Sequence, residues 1–452
     1  MISGLAKTVV LLAATAGLAG LLAPVAWASP DAHKPNIIFI LTDDHRWDAM
    51  GKLGHPVVET PRLDRLSDEG VHFSNAFVTT SLCSPSRASF LTGTYAHTHG
   101  VKNNLTPWNN QNITFLELLK QAGYTTSFIG KWHMPGALPK LRGLDQFITF
   151  TVQGGQGRYF DCPLIVDGTP TPSRRPYITE ELTDYALEFI SQNRDKTFCL
   201  YLSHKAAHHS FQPPPDIKDR YRGRNLHLPP ESDAWISFNP DHIYCGLKGP
   251  LAWNYRKYLE TVHATDREIG RVLDRVDELG LRDNTIVVYF GDNGFFWGEH
   301  RLMDKRWAYE ESIRVPLIVR APGVIRDPGR MAWQMALNID LAPTLLDLAG
   351  LEVPAQMEGI SLVPILRNPQ QPGRKDWLYE HFMDFPYRIP SIKAVRTQRY
   401  KYIEYEGRKS PELFDLAQDP KEMRNLMDTP RGKVLLPGLK ARLEELKKGK
   451  QP

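Results

Sequence analysis

Four times along its 452 residues the chain repeats one design: a short, β-rich apolar run that stops abruptly at polar or charged residues. Asn36–Leu41 leads into Thr42-Asp43-Asp44-His45, and Tyr124–Ile129 leads into Gly130-Lys131-Trp132-His133. Phe198–Leu202 leads into Ser203-His204-Lys205-Ala206-Ala207-His208, and Thr285–Phe290 into Gly291-Asp292-Asn293-Gly294. Apolar runs without alternation are what strands buried on both faces of a parallel sheet require.

Between these runs, residues 113–122, 178–192 and 255–280 carry apolar positions at spacings of three and four, which predicts helices. Strand–helix alternation of this kind implies an open α/β sheet covered by helices. Ligands of such sheets gather beyond the carboxyl ends of the strands. All four polar clusters lie at those ends, so they are expected to converge on one site.

The pattern changes after about residue 370. Residues 391–406 alternate as exposed antiparallel strands do, and 433–448 read as an amphipathic helix. The division expected is a leader over 1–28, a catalytic domain over 29–370 and a smaller C-terminal antiparallel subdomain over 371–452. The Pro-rich piece 206–230 reads as a surface loop. The leader rests on the apolar run Val9–Trp27 behind Lys7, with Ala26-Trp27-Ala28 as a secretory cleavage pattern. It implies a secreted or periplasmic protein with no stable membrane association.

A formal net charge of +4, with scattered charges, gives no reason to expect a nucleic-acid partner. Cys83, Cys162, Cys199 and Cys245 are too few for a disulfide-built scaffold. At most two bridges can form. Asn104-Leu105-Thr106 and Asn112-Ile113-Thr114 are glycosylation sequons.

Asp43, Asp44, Asp292 and Asn293 offer three carboxylates and an amide, hard oxygens that select Ca²⁺ or Mg²⁺ over zinc. Each pair alone also suits a turn. Lys131, His133, His208 and Lys305 form a cationic set, and Lys131 and His133 face the same side if the chain is extended. A metal among several cations suits a tetrahedral oxyanion ester. Cys83 stands before Pro85 and Arg87 at an expected helix start, where a thiolate nucleophile activated by Arg87 is conceivable.

Cys83-Ser84-Pro85-Ser86-Arg87 followed by Leu91-Thr92-Gly93 resembles the hallmark of type I sulfatases. The likeness continues through Asp43-Asp44, Gly130–His133, Lys205–His208, Gly291–Gly294, Lys305, Arg314-Val315-Pro316, Ala342–Leu346, Glu412–Leu416 and Asp419-Pro420. It implies an alkaline-phosphatase-like fold, an open mixed sheet flanked by helices. It also implies that a maturation enzyme oxidises Cys83 to Cα-formylglycine, whose hydrate attacks sulfur. One Ca²⁺ is then held by Asp43, Asp44, residue 83, Asp292 and Asn293. Arg87 and Lys131 orient the hydrate, His208 with Lys305 serves the departing alcohol oxygen, and His133 takes the proton whose loss expels sulfate from residue 83. His204, His208 and His209 crowd one loop; the pattern Lys-Ala-x-His-x-x-Phe favours His208.

His99–Asn104, Gly154–Asp161 and Tyr379-Glu380-His381 resemble the glycan-acting branch, notably N-acetylglucosamine-6-sulfatases. The substrate implied is a sulfated carbohydrate, with Tyr159, Trp297, His381 and Arg388 as candidates to contact it. The same residues also fit core or surface packing. Three alternatives stand beside this reading: an arylsulfatase, a phosphate or phosphonate monoester hydrolase of the same fold, and a non-catalytic glycan-binding relative.

Overall fold

The computed structural model describes residues 34–136, 141–152, 155–229, 250–385, 387–407 and 410–449. The expected leader, Cys245 and Gly154 lie outside the described residues. Lys34–Pro452 is one compact unit.

Its body is a ten-stranded sheet. The four apolar runs become β1 (Asn36–Thr42), β3 (Thr125–Gly130), β7 (Phe198–Ser203) and β8 (Thr285–Gly291). They are joined by β2 (Val71–Phe77), β4 (Gln146–Thr149), β5 (Leu164–Val166), β6 (Thr169–Thr171), β11 (Leu317–Arg320) and β12 (Arg330–Leu337). The order is β12-β2-β11-β8-β1-β7-β3-β4-β5-β6. The centre, β8-β1-β7-β3-β4, is parallel, while β11, β5 and β6 introduce antiparallel pairings. A further ribbon pairs β9 (Phe296–Trp297) with β10 (Met303–Asp304).

The reason β1 lacks alternation is visible in its packing. Ile37, Phe39 and Leu41 belong to the core on one face of the sheet, and Ile38 and Ile40 to the core on the other. Burying each such side chain contributes about 1.5–3 kcal/mol. Helices Ile178–Gln192 and Leu251–Glu278 supply the second face, and helices Cys83–Thr92, Phe115–Gln121 and Leu341–Leu348 supply the first. Three helices therefore form where the spacing predicts them, the longest beginning four residues earlier, at Leu251.

Register explains why the strand ends converge. Thr42 stands opposite Gly291, Leu41 opposite Ser203, and Ser203 opposite Gly130. The residues that follow each strand therefore emerge side by side. Gly130 is a requirement of this arrangement: its φ is +116°, and a Cβ there would lie 1.9 Å from the Ser203 carbonyl oxygen. Only glycine lets β3 approach β7 this closely.

The C-terminal sheet is antiparallel throughout: β13 (Asp376–His381), β14 (Ile392–Thr397), β15 (Tyr400–Tyr405) and β16 (Glu412–Asp415). The expectation that its strands are exposed is corrected by burial. Helix Pro430–Lys447 packs through Leu439, Leu443 and Leu446 into a cluster that also holds Trp377, Ile392, Ile403, Phe77 and Tyr95. The strands are thus packed between that helix and the catalytic body. The loop expected over 206–230 has turns up to Gly223 and irregular chain to residue 229, with residue 230 outside the described residues. Phe211 and Tyr221 are buried in one cluster with Tyr258, so it is part of the core rather than a loose wrap.

Candidate active site

Cys83 is the first residue of a helix whose ten residues are all buried. Its own backbone continues from β2 through Val78–Leu82, and the helix closes at Gly93, which has a φ of +68°. Near the N-terminus the Ser84 amide donates to Asn104 Oδ1 at 3.0 Å, while Ser84 Oγ donates to the His133 carbonyl at 3.0 Å. The helix start is thereby fixed to the segment following β3.

Around the Cys83 sulfur lie groups from four strand ends, those of β1, β3, β8 and β10. Asp43 Oδ1 is 3.6 Å from Sγ, and Lys305 Nζ is 3.1 Å from it. Lys305 also donates to Asp44 Oδ1, and Lys131 to Asp43 Oδ2. Asp292 Oδ1 accepts from the Asp44 amide at 3.1 Å, and Asn293 Nδ2 donates to Asp44 Oδ1 at 2.6 Å. All of these residues are buried.

Arg87 does not reach the sulfur. Its Nε donates to Asp292 Oδ2 at 3.0 Å, and its Nη1 donates to the Lys131 carbonyl at 2.9 Å and Ser203 Oγ at 2.6 Å. Its Nη2 lies 3.4 Å from Asp43 Oδ2. Burial, with the Asp43 charge adding to it, pushes the Cys83 thiol up to about 11. The thiolate activated by Arg87, conceivable from the sequence, is therefore not what the site favours.

The carboxylates differ among themselves. Burial opposes ionisation of Asp43, but Lys131, Arg87 and Lys305 outweigh it and hold its carboxyl below the usual range. Burial and then the Asp43 charge push Asp292 up to about 7, and burial raises Asp44 despite Lys305. A divalent cation reverses such shifts. The donor set fits one: atoms of Asp43, Asp44 and Asp292 lie within 4.8 Å of one another. Asp44 Oδ2 and Asn293 Oδ1 also have no hydrogen-bond donor among the described residues. Oxygen-only donors of this kind suit a hard cation.

The histidines sit on the rim. His208 Nδ1 donates to the His209 carbonyl at 2.6 Å, which turns Nε2 toward Asp44 Oδ2, 3.9 Å away. Tyr159 OH donates to the His208 carbonyl at 2.6 Å. His133 meets Gln156 through Nε2, and its Nδ1 is without a partner among the described residues. Burial drives both rings well below the ordinary histidine range, with Lys131 adding to the effect. His209 joins Asp44 and His208 as a potential ligand group, whereas His204 is wholly buried with neither ring nitrogen bonded among the described residues.

A cavity of about 570 Å³ opens here, lined by His208, Lys305, Tyr159, Lys205 and Gln156, and also by Asp304, Arg306 and Tyr387. Of the four candidates for sugar contact, Tyr159 lines it. Trp297 is fully buried among Phe211, Tyr255, Tyr258 and Phe295, and His381 is fully buried in β13. Arg388 is exposed and does not line the cavity.

Sequence reasoning missed Asp304 and Arg306. Arg306 donates to Asp304 and, through Nε, to Asp384 Oδ2 at 2.6 Å, and it stacks 3.9 Å over Tyr387. Their only signal was adjacency to Lys305. Lys205, 4.4 Å over the Tyr159 ring and pushed down to about 7 by burial, was likewise overlooked within its own motif.

Residues 35–351 match the family model described as sulfatase. The chain belongs to the sulfatase family. Residues 298–449 match the C-terminal model of N-sulphoglucosamine sulphohydrolase. An N-acetylglucosamine-6-O-sulfatase of Bacteroides thetaiotaomicron is 34% identical over 88% of this chain and 83% of its own. A protein solved in complex with its substrate D-glucosamine-2-N,6-O-disulfate superimposes with a TM-score of 0.85 at 31% identity, covering 92% of this chain and 98% of that one. A phosphonate monoester hydrolase of Agrobacterium radiobacter shares the fold at 23% identity, with a TM-score of 0.76 over 91% of this chain and 95% of that one. This sulfatase is a sulfuric ester hydrolase with the large mixed sheet of alkaline-phosphatase-like proteins.

Proposed function

We propose that this protein removes the 6-O-sulfate from an N-acetylglucosamine or related glucosamine unit of a sulfated glycan, outside the cytoplasm. The observation that carries the reading is Lys305: it contacts the Cys83 sulfur and lines the same cavity as His208. The substrate rests on the similarity to a curated 6-O-sulfatase and to a protein solved with a glucosamine disulfate. Export rests on the Val9–Trp27 run.

Asp43, Asp44, Asp292 and Asn293, with residue 83 beside them, are the residues to hold one Ca²⁺. When bound, that ion supplies positive charge for a sulfate oxygen. Cys83, oxidised by a dedicated maturation enzyme to formylglycine, supplies a hydrated aldehyde as nucleophile. The chain's own groups do the rest. Lys305 faces residue 83 and carries the charge that a sulfate oxygen needs there. His208, its Nδ1 held by the His209 carbonyl, presents Nε2 to the departing sugar oxygen; the negative charge of the bound sulfate offsets the effect of burial and favours the protonated ring that donates there. His133, neutral through burial and carrying an Nδ1 without a partner among the described residues, is the base at residue 83. Ser84 keeps it there by binding the His133 carbonyl. Arg87 and Lys131 keep Asp43 ionised against burial and so preserve the metal-binding oxygens.

The test is hydrolysis of a substrate set, read as sulfate released from N-acetylglucosamine-6-sulfate, its positional isomers and nitrophenyl sulfate and as alcohol released from a phosphonate monoester. Greatest kcat/KM on the 6-sulfated sugar is expected. A greater value on the phosphonate or the aryl ester would overturn the assignment.

A further inference from the structure

Next to the catalytic cavity lies a second one of about 680 Å³, and the two share Phe160 and Gln212 as lining. Trp253 lines it at the start of helix Leu251–Glu278 and remains 43% exposed, although large aromatic side chains usually find cover. Lys257 Nζ lies 4.1 Å over the indole ring and donates to the Ser210 carbonyl at 3.3 Å. Ser210 itself lines the catalytic cavity, so Lys257 ties the two spaces together.

The charges in this second space are unequal. Arg256 is paired with Asp219 and lies 3.6 Å from Glu260. Among the described residues the lining sets four cations, Lys218, Arg222, Arg256 and Lys257, against the carboxylates of Asp219 and Glu260, so positive charge is in excess. Burial lowers Lys257, and Lys218 and Arg256 add to this as like charges. An anionic ligand relieves that repulsion. A flat aromatic surface beside this excess of positive charge, next to a site proposed to take one sulfated sugar, matches the neighbouring sugar of the same chain.

Resting on the reading of the catalytic cavity as a sulfated-sugar site, we propose that the Trp253–Lys218–Arg222–Lys257 cavity is a distal subsite for the next anionic sugar of a sulfated oligosaccharide. The enzyme then turns over sulfated oligosaccharides more efficiently than sulfated monosaccharides. Stacking on Trp253 supplies the apolar contact, and the cations read sulfate or carboxylate groups.

The experiment compares the full-length matured enzyme with Trp253→Ala and with Lys218→Ala/Arg222→Ala. All three side chains stand at the surface, so the variants are expected to fold. The substrates are N-acetylglucosamine-6-sulfate and a multiply sulfated tetrasaccharide ending in that sugar. Each variant should raise KM for the tetrasaccharide by about fivefold, the effect of one aromatic or charged contact. The monosaccharide kcat/KM should not change. The tetrasaccharide advantage should also shrink as salt rises. Equal tetrasaccharide-to-monosaccharide ratios in wild type and variants would overturn the subsite alone. Calorimetric binding of the tetrasaccharide decides the subsite independently of turnover: weaker binding in the variants supports it, and unchanged binding overturns it. Absence of monosaccharide turnover in the wild type would instead count against the catalytic-cavity reading.

Discussion

At the scale of single residues, the site is a set of opposed demands held in balance by burial. Three carboxylates share a buried space; Lys131, Arg87 and Lys305 keep Asp43 ionised, while Asp44 and Asp292 remain raised until a cation joins them. His208 owes its orientation to one backbone bond, which commits Nδ1 and leaves Nε2 for the substrate. His208→Ala should lower kcat by roughly 10²–10⁴-fold on a sugar sulfate, the usual range for a lost general acid. On nitrophenyl sulfate, whose leaving group needs little protonation, the loss should be far smaller. Steady-state kinetics on the two esters checks this; equal losses would remove His208 from the proton-donor role. Much of this site could be read from the sequence, because Asp43-Asp44, Lys131, His133 and Asp292-Asn293 each directly follow a strand. Trp297 and His381 could not be placed, because an aromatic or histidine in a loop-like stretch looks the same whether it faces a ligand or a core. The pairing of Arg306 with Asp384, 78 positions away, left no trace in local pattern.

At the scale of elements, strand closeness and strand register position the chemistry. Gly130→Ala places a methyl group against the Ser203 carbonyl and forces a residue with a side chain to a φ of +116°. The expected cost is about 1–3 kcal/mol from backbone strain alone. It would be read as a lower urea midpoint at unchanged m, with kcat falling as Lys131 and His133 shift. His97 plays a different part, joining the catalytic body to the C-terminal sheet. Its Nδ1 lies 3.0 Å from Glu380 of β13, and its Nε2 lies 3.6 Å from Glu358. Lys393 of β14 also holds Glu380, at 2.6 Å, and the neutral ring of His99 lies nearby. Hydrogen bonding to Glu358, then to Glu380, raises His97 from 6.5 to about 9. A raised folded pKa gives stability that is complete below pH 6.5 and disappears as pH climbs through about 9. His97→Gln should therefore destabilise the protein at pH 6 and be indistinguishable from wild type above pH 9, as measured by thermal melts across pH. The elements themselves were unevenly readable. β1 and β8 are continuous apolar runs, whereas β2 mixes His72, Ser74 and Asn75 with its apolar residues because it lies near the sheet edge. The C-terminal strands looked exposed because alternation cannot reveal that helix Pro430–Lys447 covers their other face.

At the scale of the whole molecule, distant parts of the chain meet at one point. Asp44 and Asp292, 248 positions apart, share a hydrogen bond, and the candidate metal ligands come from both ends of that interval. A cation bound there links β1 to β8 in the folded state only, so it stabilises the protein by mass action, about 2.7 kcal/mol at a hundredfold excess over Kd. Chelation should lower the melting temperature and abolish sulfate release, and added Ca²⁺ should restore both. Unchanged melting after chelation would exclude the site as a Ca²⁺ holder. The connection between β13 and β14 contributes Asp384 and Tyr387, which hold Arg306 at the cavity wall, so residues up to 370 alone do not complete the pocket. The proposed chemistry turns on residue 83, which as an oxidised cysteine is the group to attack sulfate. Mass spectrometry of the tryptic peptide spanning residue 83, taken from a preparation of measured activity, tests it most directly. An aldehyde is expected there, in a fraction that rises in proportion to specific activity. A fully active preparation in which residue 83 is an unmodified thiol would contradict it.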